Sequence, residues 1–165
     1  MRDPVTIRAP FTDERPYILR SWIDSHRYAP GMRNRRWSDY KRTHEPLFDS
    51  ILDAPDTRIL VKGIGDEVVL GWICWTPGKV ADALHWAFTR FRESPTGATL
   101  RGRGVMSELV EAAQLKPHVA FTFRGSFPNP KDNLPKVPAD DWLRPALARR
   151  GVTVVYVPYK EWSAR

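Results

Sequence analysis

The run Arg101-Gly102-Arg103-Gly104-Val105 lies after the apolar run Leu84-His85-Trp86-Ala87-Phe88 and directly before a helix-like stretch that opens with Met106. A strand, a glycine-rich loop and a helix start in that order make a cradle for an anion. Loop and first-turn amides have no partner within the helix, and the helix dipole favours negative charge at that end. A second group of chemically able residues lies at 27–42. There Arg27, Arg33, Arg35, Arg36, Lys41 and Arg42 accompany the single acid Asp39 and are interleaved with Tyr28, Trp37 and Tyr40. Guanidinium forks hold phosphates and aromatic faces stack on bases. The segment therefore reads either as an acceptor- or nucleic-acid-binding surface carried by Arg33, Arg35, Arg36, Trp37 and Tyr40, or as a solvated loop beside a helix. Other chemistries are excluded. No Gly-Lys-Ser/Thr follows Gly104, so the loop is not that of a P-loop NTPase. One cysteine and histidines at 26, 44, 85 and 118 show no ligand spacing, so no metal is expected. Cys74, inside Leu70-Gly71-Trp72-Ile73-Cys74-Trp75, reads as a small buried hydrophobe.

The elements that must position these residues follow from periodicity. Val5-Thr6-Ile7-Arg8 alternates apolar and polar ahead of Pro10 and predicts a short first strand. Thr12 or Asp13 is placed to cap a helix with Pro16 in its first turn and Tyr17, Ile18, Trp22 and Ile23 at helical spacing, ending near Arg27. Pro46-Leu47-Phe48-Asp49-Ser50-Ile51-Leu52 predicts a second helix, stopped by Pro55. Arg58-Ile59-Leu60-Val61-Lys62 and the strand 68–75 flank Gly63-Ile64-Gly65-Asp66, a hairpin whose glycines supply positive φ. Gly71 within the second of these strands marks a bulge or a close backbone approach. A third strand at 83–89 makes the sheet at least partly an antiparallel meander. A helix at 106–115, a strand at 118–123, a proline-rich loop at 128–138, a helix at 142–150 between Asp140 and Gly151, and a strand at 152–157 complete the chain. Pro145 interrupts the helix at 142–150.

A chain of 165 residues, 42% of them hydrophobic, suits one domain over 1–165 with a sizeable core. Lys and Arg outnumber Asp and Glu by 26 to 19, which favours a polyanionic partner or an anionic cofactor. A single cysteine excludes internal disulfides and fits a reducing compartment. Met1-Arg2-Asp3-Pro4 lacks the apolar core of a signal peptide, and no run approaches the roughly 18 apolar residues of a membrane span. A soluble, cytoplasmic protein with no membrane partner is the expectation.

Strand, two helices, meander, glycine-rich loop, helix, strand, helix, strand is the order of an α+β domain. With Arg101-Gly102-Arg103-Gly104-Val105-Met106 in the loop, the sequence resembles the GCN5-related N-acetyltransferase (GNAT) superfamily. That family opens its cofactor helix with Gln/Arg-x-x-Gly-x-Gly/Ala; the chain matches at Arg101 and Gly104 and has Met106 at the last position. Ser107-Glu108-Leu109-Val110-Glu111-Ala112-Ala113 resembles the Leu-rich helix that follows, and Leu84-His85-Trp86 and Leu70-Gly71-Trp72-Ile73 stand where two preceding strands do.

The resemblance implies a GNAT-like mixed, mostly antiparallel central sheet flanked by helices, with acetyl-CoA (acetyl-coenzyme A) as cofactor. Amides of Arg101, Gly102, Arg103, Gly104, Val105 and Met106 would surround its pyrophosphate, with charge from Arg101 and Arg103. Strand carbonyls of Phe88, Thr89 and Arg90 would line its pantetheine arm. It implies acetyl transfer to an amine, with His85 the candidate base and Tyr156 the candidate acid. The 27–42 segment would border an acceptor that is a nucleobase or another phosphate-bearing amine. Glu108 reads as a solvated helix residue. The compact, divergent form of the fold fits a phage or mobile-element protein. Two departures separate the chain from the family pattern: residues 91–100 make a longer link from strand to cradle, and Met106 is bulkier than the small residue it replaces. The alternative is a domain with the fold and without the activity, which contacts nucleic acid or other protein chains through its basic surface.

Overall fold

The computed structural model describes residues 4–27, 29, 32, 34–66, 68–90, 104–123, 143 and 146–164. Among them run β1 (Val5–Arg8), α1 (Arg15–His26), α2 (Trp37–Asp53), β2 (Arg58–Ile64), β3 (Val68–Thr76), β4 (Asp82–Thr89), α3 (Val105–Ala113), β5 (His118–Phe121), β6 (Thr153–Tyr156) and a short α4 (Tyr159–Ser163). The six strands form one sheet in sequence order. β1 to β4 are antiparallel, and β4, β5 and β6 are parallel. This is an α+β architecture with a mixed, mostly antiparallel sheet flanked by helices, as the sequence predicts. None of the described helices is long and apolar enough to cross a membrane.

Each face of the sheet has its own core. On one side Ile18, Trp22 and Ile23 of α1 and Tyr40, Phe48 and Ile51 of α2 pack on Trp72, Cys74 and Trp86. On the other, Val105, Leu109 and Val110 of α3, with Leu143 and Leu147, cover Leu70, Ile73, Leu84 and Phe121. α1 is fixed by more than apolar contact. Trp72 Nε1 donates to Ser21 Oγ at 2.9 Å and Trp86 Nε1 to Ser25 Oγ at 3.0 Å, so two indoles of the sheet are satisfied by serines one helical turn apart.

Several boundaries differ from the sequence reading, each for a physical reason. α2 begins at Trp37, nine residues ahead of the predicted start, and carries Pro46 in its interior. Tyr40, His44, Phe48 and Ile51 recur at helical spacing along its buried face. Pro46 lies on the exposed face, where water can serve the carbonyl that loses its amide partner. Neither Thr12 nor Asp13 caps α1: residues Thr12–Glu14 form a 3-10 turn, and the Glu14 carboxylate accepts from the Phe11 amide at 2.8 Å. Gly63 and Ile64 belong to β2, leaving Gly65, with φ 54°, in the turn. The strand predicted at 118–123 ends at Phe121, and α4 is an element the sequence reading lacks. The proline-rich loop at 128–138, with Asp140 and Trp142, lies outside the described residues.

Candidate functional site

Two bulges shape the middle of the sheet. In β3, Val69 faces Gly63 and Gly71 faces Lys62, so Leu70 is an extra residue; in β4, Leu84 faces Trp75 and Trp86 faces Cys74, so His85 is another. A bulge bends its strand and sharpens its twist. The β4–β5 register ends at Leu84 and Phe121, immediately before the bulged His85, although β4 continues to Thr89. From His85 onward the outer edge of β4 therefore has no strand partner among the described residues. Arg90 N donates to Leu70 O at 2.8 Å. Alternation along an antiparallel ladder then makes Trp72 and Phe88 the next bonded pair, with the peptide groups of Ala87 and Thr89 turned outward to the open edge. Of the residues named in the sequence for a pantetheine arm, Thr89 has its peptide group on that edge, while the Phe88 carbonyl turns toward β3 and Arg90 bonds β3 through its amide.

The head of α3 lies over the same region. Gly104 is left-handed, φ 74°, with no side chain capping the helix among the described residues, where the nearest atom to a Cβ placed on it is Glu108 Oε1 at 3.8 Å. Gly71 gives α3 its close seat. A Cβ there would stand 2.7 Å from Phe88 O and 2.9 Å from Val105 Cγ1, so both expectations for this glycine, a neighbouring bulge and a close approach, are met. Met106 packs against the core beneath α3, which turns its bulk away from the uncapped amides. Arg101, Gly102, Arg103 and residues 91–100 lie outside the described residues. A left-handed glycine at the helix start, with no side-chain cap among the described residues, and a strand edge unpaired among them fit an extended, phosphate-ended cofactor.

Sequence reasoning missed the ion pair at this helix end. Lys62 Nζ lies 2.6 Å from Glu108 Oε2, so Glu108 is bound rather than simply solvated. Strand alternation carries the signal, since Lys62 falls between Leu60 and Ile64, both of which pack on the α3-side core.

His85 does not offer the accessible base expected of it. Its residue is 1% exposed, with Nε2 bonded to Thr76 Oγ1 at 2.9 Å and Nδ1 to Thr122 Oγ1 at 2.8 Å. Burial pushes its pKa down to about 4. The ring thus ties β3 and β4 to the chain just past β5. The rings placed around it are Tyr159 and Trp162, at 5.8 and 5.1 Å between centres. Tyr159 stacks on Phe123 and its hydroxyl pKa is raised, chiefly by burial. Pro158 and the i, i+3 spacing of Tyr159 and Trp162 are the sequence signal for this pair. Tyr156 is half-buried on β6, beside Phe121, against the α3-side core.

Of the basic and aromatic segment, Arg33 lies outside the described residues, Arg35 and Arg36 are exposed, and Tyr40 is fully buried and so faces no acceptor. The Tyr40 hydroxyl donates to Ile23 O and meets His26 Nδ1, each at 3.0 Å. Trp37 is exposed at its edge, while Arg27 lies 4.7 Å over its ring and Tyr40 stacks on it with centres 5.7 Å apart. Lys41 and Arg42 pair with Glu45 and Asp39 on their own helix.

No protein-family profile matches the sequence, and no curated protein matches it. Solved structures do resemble it. One is described as "Putative acetyl transferase from Pyrococcus furiosus": TM-score 0.50, 17% identity, 98% of this chain and 90% of that one covered. Another is a transcriptional regulator from Bacillus halodurans C-125: TM-score 0.40, 16% identity, 98% and 87% covered. At such identity the likeness to the first is one of fold alone, and that fold, a six-stranded, mostly antiparallel sheet with α3 on one face and α1 and α2 on the other, is GNAT-like.

Proposed function

We propose that the protein transfers an acetyl group from acetyl-CoA to an amine. The observation that carries this reading is the edge of β4 beyond Leu84, unpaired among the described residues, with the left-handed Gly104 at the start of α3 beside it. The amides of Gly104, Val105 and Met106 would hold the pyrophosphate, joined by Arg101, Gly102 and Arg103, while the Ala87 and Thr89 peptide groups would bond the pantetheine arm. When bound, the cofactor supplies the acyl group as an activated thioester. The chain's own part is to orient that arm along β4 and exclude water from its end. Buried Trp86 and half-buried Phe123, Tyr159 and Trp162 gather around His85 and its neighbours, which suits the second task. Tyr159, which stands beside His85, and Tyr156 on β6 are the hydroxyls proposed to protonate a departing thiolate. Arg35 and Arg36, exposed beside the Trp37 edge, favour a phosphate-bearing amine such as a nucleotide base as acceptor.

The test is thiol release from acetyl-CoA in the presence of amines with and without phosphate, including aminated nucleotides. Turnover should be seen with the native protein and lost in Gly104→Trp, and Arg35→Ala with Arg36→Ala should raise KM for phosphate-bearing acceptors alone. Absence of turnover with every amine would count against the reading.

A further inference from the structure

The ion pair at the head of α3 joins unequal partners. The Lys62 side chain is 7% exposed, on the sheet face under α3, whereas that of Glu108 is 51% exposed. A buried ammonium needs a counter-charge, because desolvation penalises it when alone. A carboxylate that is half in water loses little by turning away. The pair is therefore one in which Lys62 must keep an anion and Glu108 is free to be replaced as that anion.

The position of the carboxylate says by what. One oxygen is on Lys62, and the other is 3.8 Å from the Cβ position of Gly104, so Glu108 folds back from the first turn toward the helix end where the dipole is positive. A phosphate entering the cradle would meet a carboxylate already there and a cation already committed. Resting on the cofactor site proposed above, we infer that Glu108 is an internal competitor for the cradle. Lys62 is then a further phosphate-binding residue, passed from Glu108 to the cofactor when it binds. No bond is made or broken; one anion replaces another at a fixed buried cation.

Calorimetric titration of native protein and Glu108→Gln with coenzyme A, and with pantetheine, which has no phosphate, reads this out. Glu108→Gln should bind coenzyme A about threefold to tenfold more tightly, the scale of a modest coupling between competing ligands, with pantetheine affinity unchanged. Lys62→Met should weaken coenzyme A binding about tenfold or more, the loss of a charge-assisted contact. A pair that merely straps α3 to the sheet predicts the opposite sign for Glu108→Gln, because loosening the helix would weaken binding. If native protein binds coenzyme A and Glu108→Gln binds it no more tightly, the inference falls and the cofactor site stands. An equal gain for pantetheine also overturns it. If neither protein binds coenzyme A, both readings fall together.

Discussion

Burial holds His85 neutral down to a pKa of about 4, and threonine hydroxyls from two flanking segments occupy both ring nitrogens. His26, in the α1 layer, is pushed lower still, to about 3, by burial and by His44 nearby. Both folded-state values lie below the ordinary unfolded one of about 6.5, so the fold favours the neutral rings. Their contribution to stability is present in full above pH 6.5 and is lost as pH falls toward 4 and then 3. For His85 that loss reaches about 3 kcal/mol, from the shift at 1.36 kcal/mol per unit. Urea denaturation of native protein and His85→Gln between pH 7 and 4.5 should show the native stability falling more steeply, by the uptake of about one more proton. Equal slopes would mean that His85 titrates normally and is open to water. The residue type and its place on a central strand are legible in the sequence. Its confinement is not, because Thr76 and Thr122 reach it through strand pairing across a bulge that no local pattern announces.

At the scale of elements, α1 is held by a polar device inside an apolar interface. Ser21 and Ser25 bond backbone carbonyls of their own helix and also accept from Trp72 and Trp86. Ser21→Ala or Ser25→Ala leaves a buried indole N–H without its acceptor, at a cost of about 1–3 kcal/mol each. Thermal denaturation should show each loss with little change in helix content; unaltered midpoints would mean the indoles find other acceptors. Periodicity shows α1, the meander and α3 to within a few residues, since each has a continuous apolar face. It misplaces the start of α2 because proline and a dense run of charge mask a face built from Tyr40, His44, Phe48 and Ile51. It misses α4, only five residues long. The glycine at 71 is legible as unusual, and only the structure shows that it seats Val105.

Across the whole molecule, the order of elements suffices to name the fold, and six strands in sequence order with two helical layers agree with it. The helix start at Gly104 is legible in the sequence, but not the pairing of buried Lys62 with Glu108, which depends on a strand distant in sequence. The basic segment reads differently in three dimensions. Some of its charge is spent in ion pairs along α2, and Trp37 lies between Arg27 and Tyr40 rather than open to a base. At the head of α3 the described residues leave a left-handed glycine without a side-chain cap, beside the part of β4 that they leave unpaired. Titration of the native protein with acetyl-CoA, repeated with Gly104→Trp, tests the cofactor site proposed there most directly. Micromolar binding that the variant loses, and that weakens as salt is raised, is the predicted result; no heat with the native protein, or equal binding by the variant, would contradict it.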